Sequence, residues 1–190
     1  MKLKLYSVFH CRRGQALVEM AIVLPLLVLL LLGVYDFSKA IQAKNIIANV
    51  SREGANMAAR TSFAANDIMN TVGDTAQPLD LQHNGMMYIT TIEGSTSIPS
   101  GTACTTCTTP TTYYLYIHNQ TPWSNAASSM STLATSRLGS PSSPKLSGFC
   151  NLNLSNGQTA QVFEIFYKYQ SMFGINSKML PSIYYSMSVF

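Results

Sequence analysis

Charge is scarce in this chain. Only 11% of its 190 residues are Asp, Glu, Lys or Arg, with eight acids in all and three histidines. No His-Glu-x-x-His motif, Gly-rich phosphate loop or nucleophile–base–carboxylate set occurs. The sequence therefore offers no catalytic residue and implies no cofactor; a structural protein is expected, not an enzyme. Zinc needs four ligands, and three downstream cysteines with isolated His83 and His118 do not supply them, so no metal is expected. Basic clusters are missing beyond the start. Lys2, Lys4, Arg12 and Arg13 lie within the first 14 residues, where there is no acid, and the remaining eight basic side chains balance the eight acidic ones. No nucleic-acid partner is expected, because a phosphate backbone calls for a concentrated basic surface.

An ordinary secretory cleavage site is also lacking. The nearest small-x-small triplet, Ser38-Lys39-Ala40, has a charge at its centre, and Cys11 precedes the apolar run, where a lipid-modified cysteine would follow it. What is present is residues 16–35, an apolar run with one charge, Glu19. As a helix this run is about 30 Å long, the thickness of a bilayer's hydrocarbon core, so a membrane-spanning helix in the lipid bilayer is expected. Basic residues ahead of a first span stay in the cytoplasm. The C-terminal part should then lie in the periplasm of a bacterium, with the chain anchored once in the inner membrane. Cys104, Cys107 and Cys150 fall on that oxidising side.

A carboxylate within a span costs a few kcal/mol on insertion scales, and its presence calls for a partner. A cut after Gly14 would supply one, the new α-amino group of Gln15, four residues from Glu19 or on a neighbouring subunit. The helix macrodipole also favours an acid in the first turn. Pro25 lacks a backbone N–H and its ring crowds the carbonyl of Ala21, which marks a kink or weak point within the span.

The order Arg-Arg-Gly14, Gln15-Ala-Leu-Val-Glu19, Met-Ala-Ile-Val-Leu-Pro25-Leu-Leu, with Gly33 closing the run, resembles the N-terminus of TadE-like proteins. These are minor pilins, or pseudopilins, of the tight-adherence (Flp) branch of type IV pili; Met20 stands where the family more often has Phe or Tyr. The resemblance implies a basic leader over 1–14, cut by a prepilin peptidase between Gly14 and Gln15, and Glu19 as the fifth mature residue, used in assembly. It implies as partners other pilin and minor pilin subunits and an inner-membrane assembly platform. Major pilins of this branch are little more than the helix, so the extra domain here suggests a minor component. Two alternatives stay open: an uncleaved single-span protein with a periplasmic binding domain, and a pilus-tip adhesin.

Beyond Tyr35 the helical period continues. Phe37, Ala40, Ala43, Ile47, Val50, Gly54, Met57, Thr61, Ala65, Ile68 and Val72 step by threes and fours along one face. A single helix over 15–72, roughly 85–90 Å long, is expected, with two helices broken near Gly33 or Gly54 as the alternative. Residues 73–190 read as a β-rich domain. Segments 86–92, 112–118, 161–169 and 182–190 alternate or are rich in β-branched and aromatic residues. The expected fold class is α+β, the amphipathic half of the helix packing on the apolar face of a small antiparallel sheet of about four strands. In the last segment that face would be Ile183, Tyr185, Met187 and Val189. This last pair of strands, joined through Pro181, is also similar to the C-terminal half of TadE-like domains. The Ser/Thr-rich stretches 94–112 and 124–148 read as solvated loops, and Glu93 and Glu164 as solvated acids or partners of a neighbour such as Lys168. A disulfide between Cys150 and either Cys104 or Cys107 is favoured because it closes a long loop; Cys104–Cys107 is the local alternative.

Overall fold

The computed structural model describes residues 12–98, 103–108, 112–171 and 182–190. The expected leader up to Cys11, and Pro181, lie outside the described residues. Residues that are mostly apolar or small carry one helix, α1 (Arg12–Arg60), which continues through Pro25; its 49 residues make it about 74 Å long. It ends twelve residues short of Val72. Thr61 closes it, its amide and hydroxyl both donating to the Met57 carbonyl at 3.0 and 2.8 Å. A new start follows at the Ala64 carbonyl, and α2 spans Ala65–Thr75. Arg60 in the last turn of α1 and Asp67 in the first turn of α2 each suit the local helix dipole. The single helix expected over 15–72 is thus two, broken at neither Gly33 nor Gly54. Its apolar period survived the break because both helices lay their apolar sides on the same core, which includes Ile47, Val50, Ile68 and Val72.

Five strands form one antiparallel sheet in the order β2-β3-β1-β6-β7: β1 (Gly85–Ser95), β2 (Thr105–Cys107), β3 (Tyr113–Pro122), β6 (Thr159–Lys168) and β7 (Ile183–Val189). A two-stranded ribbon of β4 (Gly139–Ser140) and β5 (Ser143–Pro144) lies apart from it in chain order. The α+β architecture follows the sequence expectation, with β2 as an additional edge strand inside a stretch read as loop. On one face Met87, Ile89, Phe163, Ile165 and Tyr167 meet Ala40, Ala43, Ile47, Val50 and Ala55 of α1. Full burial of side chains such as Ile47 and Phe163 contributes about 1.5–3 kcal/mol each.

The opposite face is covered as well. Ile92, Leu115, Ile117 and Val162 pack with Leu138 and Leu146, while Met86, Tyr88 and Phe166 pack with Met130 and Ala134. Segment 124–148, read as a solvated connection, is therefore the third layer of the domain and includes a short helix, α3 (Ser128–Leu133). Its few apolar residues are widely spaced in sequence, and each fills a separate gap. This second cover reverses the expectation at β7. Register pairs Val189 with Val162, Met187 with Glu164 and Tyr185 with Phe166, so the apolar set of β7 shares the face turned from α1. Ser186 and Ser188 face the helix instead, and their hydroxyls lie 2.8 and 3.1 Å from that of buried Ser51.

Helix and sheet approach closely at Gly54. A Cβ built there would sit 2.4 Å from the Phe163 ring, which has no free side to yield toward. Gly54→Ala should lower unfolding stability by about 1–3 kcal/mol in urea or thermal melts, despite the better helix propensity of Ala. Gly33→Ala meets nothing within 4 Å and should leave the melt of the domain unchanged.

Candidate functional site

The first half of α1 is bare. From Leu17 to Leu31 every side chain is exposed, among them Leu17 at 72%, Ile22 at 68% and Leu26 at 66%. This is the described helix that is long and apolar enough to cross a membrane. Glu19 stands exposed between Val18 and Met20, with no ion-pair partner among the described residues. Gly14 and Gln15 lie in the helical backbone one turn ahead of it. A carboxylate on an otherwise apolar surface, without an ion-pair partner among the described residues, is suited to meeting a positive group from outside.

Coverage by the domain begins at Asp36, which is 1% exposed. The sequence stripe began instead at Phe37, which is 57% exposed. Tyr169 donates its hydroxyl to Asp36 Oδ1 at 2.9 Å and to the Asp36 carbonyl at 3.0 Å, and Ser171 Oγ donates to Oδ2. Burial first, and then the bond to Asp36, push the Tyr169 hydroxyl well above its ordinary pKa, so it remains a donor at neutral pH. An acid one residue past an apolar run was visible in the sequence; its tyrosine partner, 133 positions away, was not.

Glu164 is fully buried, contrary to the expectation of a solvated acid. It sits between the two apolar clusters of the second face. Tyr185 Oη and the Arg137 amide donate to Oε1 at 2.9 and 3.0 Å, and Ser136 Oγ donates to Oε2. Gln120 extends the seam, donating to Ser136 Oγ at 3.0 Å and to Thr90 Oγ1 at 3.2 Å. Burial and then the Glu164 charge raise the Tyr185 pKa, while the Arg137 guanidinium, 3.9 Å over the ring, works against that rise. The serine–carboxylate pair here has no histidine in its bonding and serves to fasten 134–138 to the sheet. Elsewhere Glu93 pairs with exposed His118 at 2.9 Å. No group of three metal-binding side chains occurs among the described residues.

Cys107 of β2 is bonded to Cys150 of the 3-10 helix Ser147–Leu152, across 43 positions, and Cys104 is a partly buried free thiol. The CxxC spacing therefore does not form a local bridge.

Residues 14–56 match the family model described as TadE-like protein. The first helix is similar to TadE-like proteins. The matched segment starts at the glycine, takes in Glu19, Pro25 and Gly33, and ends at Asn56, four residues before α1 does. It thus contains both the bare half of the TadE-like helix and the half that docks on the sheet, and it associates the chain with the tight-adherence pilus system. No curated protein and no solved structure matches the chain.

Two outcomes follow for the domain. Cys107→Ser or Cys150→Ser should cost about 2–4 kcal/mol in urea unfolding, the loop-closure range for a bridge of this span. The raised tyrosines set the alkaline limit: stability is complete below their ordinary value of 10.0 and falls as pH rises above it. Tyr169→Phe should flatten that fall in melts followed by circular dichroism.

Proposed function

We propose that the chain is a minor pilin of the tight-adherence pilus, a structural subunit that helps to initiate, cap or assemble the fibre. One observation carries this reading: Glu19 lies exposed and without an ion-pair partner among the described residues, a turn beyond Gly14, on a helix whose next turns are bare hydrocarbon. A prepilin peptidase would cut after Gly14, and the mature chain would begin at Gln15. Glu19, now fifth, would pair with the α-amino group of its own or a neighbouring pilin subunit. Before assembly the bare half of α1 would lie once across the inner membrane, with its N-terminus in the cytoplasm and the sheet domain in the periplasm. Transfer from bilayer to fibre, through an inner-membrane assembly platform, would exchange lipid for the helices of other subunits around the same apolar surface. Pro25 would leave one carbonyl of that helix free to yield during the transfer.

N-terminal sequencing of the protein from cells with and without active prepilin peptidase tests the cut. A start at Gln15 is expected with the enzyme and Met1 without it; Met1 in both would overturn the pilin reading in favour of an uncleaved single-span protein. Glu19→Ala should leave cleavage intact and remove the subunit from sheared surface fibres. Intact mass of the mature chain should show a free or methylated amine. A mass lower by one ammonia, the mark of pyroglutamate at Gln15, would exclude the salt bridge to Glu19.

A further inference from the structure

Just past the bare half of α1, Phe37, Ala40, Ile41 and Lys44 form one wall of a groove of about 440 Å³, and Arg137 with Ile183, Tyr184 and Tyr185 forms the other. Phe37 and Ile41 are 57% and 46% exposed. They continue a single helix face that descends through Val34, Leu30 and Leu27, all exposed and spaced by threes and fours. The groove is thus the upper end of the surface read as lying in lipid. Its character changes at the top, where Lys44 and Arg137 are both exposed. The two acids closest to it along the chain and through bonding, Asp36 and Glu164, are 1% and 0% exposed and accept hydrogen bonds from the domain.

We infer that this groove docks the headgroups of anionic phospholipids, with Phe37 and Ile41 in the acyl boundary and Lys44 and Arg137 on the phosphates. The inference rests on the reading that residues 17–35 lie in a bilayer. Phe37 then falls two residues beyond the hydrocarbon core, and Lys44 about 10 Å further along the axis, in the headgroup layer. Aromatic side chains favour that boundary, and Tyr35, with Lys39 5.8 Å from its ring, adds to the same belt. Arg137 is held in place by its stack on Tyr185 and by the hydrogen bond that its backbone N–H donates to Glu164 Oε1, so the positive group is presented by the sheet domain and not by the helix alone. The domain would lean on the membrane surface with its β7 side, fixing its tilt before it is drawn into a fibre.

The test uses the full chain in phosphatidylcholine nanodiscs with a minor fraction of phosphatidylglycerol, carrying Phe37→Trp as a reporter and read as a difference from the unsubstituted protein. Bromine is placed on the acyl chains of either lipid in turn. Quenching by brominated phosphatidylglycerol should exceed that by equal brominated phosphatidylcholine, by roughly fivefold in local enrichment for each cationic side chain. Lys44→Gln, an exposed change, should remove part of the preference, and Lys44→Gln with Arg137→Gln should abolish it; Arg137→Lys should restore charge without the stack. Equal quenching by both lipids, unaffected by these changes, would overturn headgroup recognition. So would an absence of quenching while the chain stays in the disc, and so would cross-linking between copies at Phe37 that displaces lipid, which would assign the groove to a second copy. A chain washed out of the discs by alkaline carbonate would instead refute the span on which the inference stands.

Discussion

One helix has to satisfy two surroundings without changing its backbone. Apart from the one hydrogen bond that Pro25 cannot donate, the helical ladder of α1 continues across Asp36, and the side chains report which medium is adjacent. Below it they are, Glu19 apart, mostly large and apolar all round, as lipid or neighbouring helices require. Above it a narrow row of Ala, Ile, Val, Ser and Gly turns inward, and the opposite side is charged. The sheet domain is fitted to that row. Close approach is set by Gly54 under Phe163 and by three small hydroxyls, Ser51, Ser186 and Ser188, which bring β7 up to the helix. A β7 with its branched residues turned inward would hold the helix further off and leave the second face without cover.

Much of this was legible in the residues. The apolar run, the basic lead-in and Gly14 with Glu19 mark the first half of the helix, and four of the five strands of the main sheet stand out by alternation or by β-branched and aromatic content. What escaped was decided by contacts far apart in sequence. Strand 86–92 is apolar on nearly every residue, which suits a strand covered on both sides, yet its second cover comes from a Ser-rich stretch whose Met130, Ala134, Leu138 and Leu146 carry no period. Once that cover exists, the apolar residues of β7 belong to it. Glu164 is buried for the same reason: it lies on the covered face and is tolerable there because Tyr185, Ser136 and the Arg137 amide meet both of its oxygens. The helix break at 61–64 was signalled only weakly, by Thr61-Ser62 between Arg60 and Asp67.

Asp36 marks the division between the halves. An ionised carboxylate at the edge of a span would ordinarily be drawn outward to water. Here two hydroxyl donors just after β6, Tyr169 and Ser171, hold it against the domain, and the neighbouring face, with Phe37, is left apolar. The same residue number thus fixes where the sheet domain starts and how far up the helix a lipid-compatible surface extends.

The disulfide lies in a different part of the molecule from all of this. Cys107 and Cys150 belong to the cluster of Ile92, Tyr113, Leu115, Ile117 and Val162, to which α1 contributes no residue. The contacts that join helix and sheet therefore do not run through the disulfide, which ties β2 to the layer on the far face. Were the chain translocated as proposed, its stem would seat on the sheet through contacts that do not wait for oxidation, and the covalent lock would fall on the layer turned away from the helix.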